Sequence, residues 1–429
     1  MKWGIALGVL SLSLTPASAA GSGWGRAFRL AGPVTADLTA PRMATAASGT
    51  IAVTYSRYDQ DSPAGSQAYL VQRSPQGRLT GPRAVPRAQQ VLDLTYNRSS
   101  LELLLGGSER GQVCCSYARV STASGGGFGR PRTVVDGLAG FTLGRLIAVG
   151  SGRLLAAVAT ERGVWAAQSD TGGGLGPTRR LSAKQRSPWT LAAAILPSAT
   201  TFIGWTEAAQ QPGGSGPRAL MLGQGSASAG PRSARAAVTV AAGHQLDEVA
   251  LAPGGPVATG AWIEGWFAAD GSYRSQAVVA DLGARPRGRP FPIAGTVASG
   301  VTAAGDGSGE DVVAWKACDR AASCSVWAVF RRAGGRFASP TRLGAIDTSQ
   351  APVTAVGAGG RAVVGWVGSG RVLAAGRGPR DRGFAAPRPV ATSSFAHDLT
   401  MAIAADGSIV AVWTQGTLSP SVVGAFYRP

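Results

Sequence analysis

Short apolar runs, each opened by a small-residue turn and closed on a large apolar side chain, recur along the whole chain. The clearest are Gly49-Thr50-Ile51-Ala52-Val53-Thr54-Tyr55, Ala362-Val363-Val364-Gly365-Trp366 and Asp406-Gly407-Ser408-Ile409-Val410-Ala411-Val412-Trp413. Shorter copies are Phe202-Ile203-Gly204-Trp205, Thr259-Gly260-Ala261-Trp262 and Asp311-Val312-Val313-Ala314-Trp315, with two degenerate ones at Leu101 to Leu105 and Leu154 to Val158. Such runs, bounded by Gly, Asp or Ser, read as strands. Helical periodicity is almost absent. Taking the run ends as Tyr55, Leu105, Val158, Trp205, Trp262, Trp315, Trp366 and Trp413 gives steps of 50, 53, 47, 57, 53, 51 and 47 residues. A strand-rich period of this length is that of a four-stranded propeller blade.

A second pattern recurs once per period: an apolar residue, Pro three later, and an aliphatic three after that. It occurs as Leu79, Pro82, Val85, as Phe128, Pro131, Val134, as Phe337, Pro340, Leu343, and as Phe384, Pro387, Val390, with a weaker form in Arg287, Pro290, Ile293. Proline has no N–H to donate to a ladder, so this segment belongs on an edge strand, the outermost of its blade. The last unit stops at Pro429 after three strand-like runs, Thr400 to Ala404, Ser408 to Trp413 and Val422 to Tyr427. The missing fourth is expected from Trp24-Gly25-Arg26-Ala27-Phe28-Arg29-Leu30, where Trp24 and Leu30 match the pattern and Ala27 replaces Pro. Pairing the two chain ends closes a ring and leaves no exposed terminal blade. The expected fold is all-β, a β-propeller of about eight four-stranded blades closed by the N-terminal strand, with seven blades as the alternative.

These units resemble secreted bacterial β-propellers of the sialidase-like and tryptophan-aspartate-repeat type, in which a turn like Ala405-Asp406-Gly407 leads into a strand like Ile409-Val410-Ala411-Val412-Trp413. The resemblance covers nearly the whole chain and implies architecture. Sialidases carry Ser-x-Asp-x-Gly-x-x-Trp boxes. Ser169-Asp170-Thr171-Gly172 has the wrong spacing and no Trp, so no catalytic arginine triad or tyrosine nucleophile carries over. Gly305-Asp306-Gly307-Ser308-Gly309-Glu310-Asp311 resembles an integrin-type calcium loop in a single copy, with an ordinary acidic turn as the other reading.

Composition adds location and narrows the partners. Residues 1–20 read as an export signal: Lys2, then apolar Trp3 to Leu14, then Pro16-Ala17-Ser18-Ala19-Ala20 as a small-residue cleavage site. Residues 21–429 are then one propeller domain in a secreted or extracytoplasmic protein. No later stretch reaches the roughly 18 apolar residues of a membrane span. The net charge of +18 comes almost wholly from Arg, with Lys only at Lys2, Lys184 and Lys316, and the arginines are scattered along the chain. A nucleic-acid footprint needs a focused stripe, so nucleic acid is excluded as partner. Cys318 and Cys324 flank the polar Asp319-Arg320-Ala321-Ala322-Ser323 and are expected to bridge a hairpin. Neighbouring Cys114 and Cys115 point to opposite faces of a strand, giving one buried small residue and one partly exposed thiol. Neither spacing nor nearby His suits a metal, the Gly-rich stretches at Gly125 to Gly127, Gly172 to Gly174 and Gly213 to Gly216 are turns that precede no helix, and no cofactor is implied.

Propellers place ligands at the central mouth of one face, between the blade-joining loops and the loops that follow the second strands. Two residues beyond the anchors stand Arg57, Glu207, Glu264 and Gln415, and the two histidines, His244 and His397, just precede first strands. These six are the candidate ligand-binding residues, each also readable as a solvated or hydrogen-bonded structural group. Glu207 and Glu264 on neighbouring blades are candidate acid and nucleophile or base for glycoside cleavage, and the histidines suit proton transfer. Trp165, Trp189, Trp266 and Trp327 lie off the anchor position and either stack on sugars or pack between blades. No nucleophile elbow is present. The favoured reading is a non-catalytic, monomeric binding or scaffold module for a polysaccharide or cell-surface protein. The alternative is a glycan-active hydrolase or lyase.

Overall fold

The computed structural model describes residues 23–428, except 59–65, 109–114, 125–126, 139–141, 150–151, 170–173, 184–185, 210–217, 284–285 and positions 227, 233, 287 and 394. The signal segment, Cys114, Lys184, Arg287, the Asp170–Gly172 part of the sialidase-box candidate and most of the three Gly-rich stretches lie outside the described residues. Among these residues there is no helix, and the strands form eight antiparallel sheets of four or five strands. Each sheet is one blade, so the count is eight. Blade 5 is representative: an inner strand His244–Pro253, then Ala258–Phe267, Tyr273–Asp281 and the outer Arg289–Phe291, each paired to the one before.

The second strands carry the anchors because they are covered on both faces. Ala362–Gly368 is buried at every position, which explains its unbroken apolar run where a half-exposed strand would alternate. All eight anchors are buried, including the degenerate Leu105 and Val158. The buried apolar residues described form eight clusters, each filling one seam between neighbouring blades. Trp315, for example, packs with Phe291, Val279 and Ala298 between blades 5 and 6.

The expected outer strands are Arg83–Ala84, Arg132–Asp136, Thr341–Ala345 and Arg388–Thr392. Pro82, Pro131, Pro340 and Pro387 stand immediately before them, where no ladder hydrogen bond is asked of them. The following aliphatics Val85, Val134, Leu343 and Val390 point inward and are buried. The ring closes as expected. Gly23–Trp24 and Phe28–Ala31 pair with the third strand of blade 8, Ser421–Arg428, at Trp24↔Tyr427 and Phe28↔Gly424. Phe28 stacks on Phe426 at 5.1 Å.

Cys318 and Cys324 are disulfide-bonded and directly opposed in neighbouring strands of blade 6. Cys115 departs from the expected thiol: it is buried and disulfide-bonded, with its partner outside the described residues. The integrin-like segment is an acidic turn. Asp306 Oδ1 accepts hydrogen bonds from the backbone N and hydroxyl of Ser308, while Asp311 turns away to Arg331.

Candidate functional site

In every blade the inner strand begins, and the second strand ends, on the same face of the ring, and all six candidate residues stand there. Arg57 is in blade 1, Glu207 in blade 4, His244 and Glu264 in blade 5, His397 and Gln415 in blade 8. They therefore fall into two groups. Blades 8 and 1 bring His397, Gln415 and Arg57 to one arc, and blades 4 and 5 bring Glu207, His244 and Glu264 to another.

Blade 5 carries the densest arrangement. His244 Nδ1 and Glu264 Oε1 are 2.6 Å apart, and the imidazole lies flat on Trp266 with centroids at 4.9 Å. The cause is register: His244 faces Trp266 and Leu246 faces Glu264 across the first two strands. Tyr273 opens the third strand and donates its hydroxyl to Asp247 Oδ2 at 2.6 Å, with Gln245 Nε2 donating to the same hydroxyl at 3.3 Å. Gly265 makes this reach possible, since a Cβ there falls 2.0 Å from the Tyr273 hydroxyl oxygen. Burial, aided by the Asp247 carboxylate, pushes the Tyr273 phenol up to about 12, so it is a neutral donor at physiological pH. Beside this cluster a cleft of about 400 Å³ opens between blades 5 and 6, lined by Trp266, Tyr273, Arg274, Gln276, Thr296 and Arg320.

The two histidines do not meet; each is held by its own carboxylate. His397 Nδ1 lies 2.7 Å from Asp398 Oδ2, at a bulge where Asp398 takes the left-handed backbone, φ 54°. The hydrogen bond to Asp398 raises the His397 pKa above the ordinary imidazole value. The folded state thus prefers the protonated ring. Its stabilisation is complete below the unfolded value of about 6.5 and disappears as pH rises through the higher folded value. A His397→Gln variant is expected to lose most stability relative to wild type near pH 5 and little at pH 8, read from urea midpoints at both.

Glu207 is buried and paired in register with Pro188 and Ala219. Gln415 faces Ala396 and Ser421. Arg57 lies over Tyr69, 5.9 Å from its centroid. Of the four off-anchor tryptophans, Trp165 and Trp327 pack in the seams, Trp266 joins the blade 5 cluster, and Trp189 is exposed.

Two features have no signature in the sequence. The first is a charged group on the inner strands of blades 2 and 3, near the axis. Asp93 accepts backbone hydrogen bonds from Leu94 and Leu146, and burial outweighs nearby Arg145 in raising its pKa. The second is where apolar surface is left uncovered. Tyr58, Trp189, Phe267, Phe395 and Leu418 are exposed, Phe267 by 72% and Leu418 by 91%, and all five stand on the face that carries the candidate residues. Leu79 alone among the exposed large apolar residues described lies on the other face. These residues end strands or sit in loops, so no periodicity marks them.

No protein-family model matches the chain, and no curated protein matches it in sequence. Solved structures do match in shape. An ulvan lyase from a new polysaccharide lyase family aligns over 92% of this chain and 95% of its own, with TM-score 0.51 and 9% identity. The polysaccharide lyase Uly1 aligns over 88% of each chain, with TM-score 0.50 and 10% identity. At such identities these likenesses show a shared fold, and the chain is an eight-bladed β-propeller.

Proposed function

We propose that this propeller is an exported binding module whose candidate face holds a polysaccharide without cleaving it. The observation that carries the reading is that exposed Tyr58, Trp189, Phe267, Phe395 and Leu418 all stand on one face, along the arc of blades 8 and 1 and the arc of blades 4 and 5. Aromatic side chains stack on the faces of sugar rings, and a face that concentrates exposed large apolar groups marks an interaction surface. The charge of +18 favours acidic polymers. The groups suited to proton transfer are engaged with one another: His244 with Glu264, His397 with Asp398, and Tyr273, neutral, with Asp247.

A second reading, a glycan-active enzyme, is favoured by the His244–Glu264 pair standing beside the 400 Å³ cleft and by the polysaccharide lyases among proteins of the same fold. Affinity electrophoresis on neutral and acidic polysaccharides, coupled to product analysis, separates the two. Binding without turnover, weakened about tenfold or more in a Trp189→Ala/Phe267→Ala/Phe395→Ala variant, is expected. Release of shortened products, abolished in Glu264→Gln or Glu207→Gln, gives the site to the enzyme reading. Undiminished binding by the triple variant removes the face from consideration.

A further inference from the structure

On the opposite face the seams between blades 5 and 6, 6 and 7, and 8 and 1 share a device that the seam between blades 7 and 8 lacks. Across from each anchor stands a third-strand residue: Val278 opposite Trp262, Trp327 opposite Trp315, Leu373 opposite Trp366 and Val423 opposite Trp413. Three residues further along are Asp281, Phe330, Gly376 and Phe426 in blades 5 to 8. Each of these except the glycine projects into the next seam and is covered by an arginine of the next blade. Arg331 binds Asp281 at 2.5 Å, Arg377 lies over Phe330 at 4.2 Å, and Arg73 lies over Phe426 at 3.8 Å.

Between blades 7 and 8 both halves of the device change. Gly376 stands where its neighbours have phenylalanine, and Tyr427 stands where arginine would cover it. The result is a cleft of about 260 Å³ floored by Ala362, Ala374 and Gly376. Trp24 and Tyr427, with centroids 5.5 Å apart, form its aromatic wall. A Cβ placed on Gly376 meets nothing nearer than the Ala362 carbonyl oxygen at 4.0 Å, so the space directly above the strand is open. Arg361 and Arg388 line the cleft with one carboxylate, Asp381, whose Oδ2 already accepts a hydrogen bond from the Gly378 N–H at 2.7 Å. The cleft is ring-sized, apolar at its base and net positive. About 150 Å³ of apolar space suffices to hold benzene.

We propose that this cleft binds an aromatic carboxylate. The ring takes the position that Phe330 and Phe426 occupy in their own seams, and the carboxylate is received by Arg361 and Arg388. Bidentate guanidinium recognition suits a carboxylate, and an aromatic ring meets Trp24 and Tyr427 in the offset or edge-on geometries such rings prefer. The same chemistry is offered by a free aryl acid and by the C-terminal phenylalanine of a peptide.

Isothermal titration of the full chain with 3-phenylpropionate, with N-acetyl-Gly-Phe, and with its C-terminal amide tests the assignment. Saturable binding of the two acids, with the amide about tenfold weaker or worse, is expected. Tighter binding of the peptide acid assigns the site to chain ends, and tighter binding of phenylpropionate to free acids. Gly376→Phe is expected to abolish binding while raising the thermal midpoint, because it rebuilds the filling of the neighbouring seams. Arg361→Ala/Arg388→Ala, both outside the cores, should weaken the acids about tenfold without changing the midpoint, and decides the matter if the phenylalanine variant fails to fold. Absence of saturable binding at millimolar concentrations of all three probes, or binding indifferent to both variants, overturns the proposal.

Discussion

Arg331→Ala is expected to destabilise the protein by about 3–5 kcal/mol, the range for breaking a buried ion pair from one side. The guanidinium reaches across the seam between blades 5 and 6. Its Nε donates to Asp311 at 3.0 Å, its Nη2 to Thr259 at 2.6 Å, and its Nη1 pairs with Asp281. The Asp311 side chain is fully buried, and burial holds its pKa above the usual carboxylate value even with Arg331 in place. Without the arginine, a carboxylate is left in an apolar seam with Thr259 as its remaining side-chain partner. Such a group takes up a proton in the folded state before it does in the unfolded state. Stability of the variant should therefore fall as pH rises through the raised value. The deficit against wild type, measured by urea unfolding, should be larger at pH 7 than at pH 4.5. Adding Asp311→Asn should recover part of it by removing the charge. Equal loss at both pH values would mean that the packing of Arg331 over Phe337, and not the charge, is what the seam requires.

Removing residues 21–31 is expected to have a larger effect still. The N-terminal segment supplies the outer strand of blade 8, and Leu30 and Ala31 are buried in the seam between blades 8 and 1 with Val410, Val412 and Val422. Phe28 stacks on Phe426 at 5.1 Å, with Arg73 5.9 Å from its ring centroid. Burial of Leu30 is worth about 1.5–3 kcal/mol and that of half-buried Phe28 less, to which the ladder with Ser421–Arg428 adds. The loss approaches the whole margin of about 5–15 kcal/mol by which a domain is stable. It also leaves an unpaired strand edge, a template for pairing between chains. Gel filtration should show soluble aggregates or loss of the monomer peak, and the separate peptide 21–31 added in trans should restore part of the folded fraction. A truncated chain that stays monomeric with an unchanged thermal midpoint would show that the ring holds without its clasp.

Much of the architecture was legible because it is local and repeated. A strand covered on both faces needs an unbroken apolar run, so each second strand announces itself, and the large residue that fills the seam recurs at its end. The proline before the outer strands of blades 1, 2, 6 and 7 and the strand missing from the last unit are equally local facts. From them follow the blade count, the outer strands and the closing of blade 8 by the N-terminal strand, and the polar hairpin between Cys318 and Cys324 pointed to their bridge.

The site was legible only in part. The face of His244 and Glu264 follows from counting residues along strands, but their 2.6 Å contact depends on cross-strand register, and the reach of Tyr273 to Asp247 on Gly265 lying between them. The exposure of Phe267 and Leu418, the bond from Arg331 to Asp281, and the space over Gly376 arise where different blades or loops meet. Such contacts join residues about fifty positions apart and leave no periodic trace. The sequence by itself determined the repeating unit and its closure, because strands and anchors are set by burial within one blade. Which side chains meet across the seams and at the mouth was decided only when eight blades closed into a ring, because each seam is built by two units whose variations are independent.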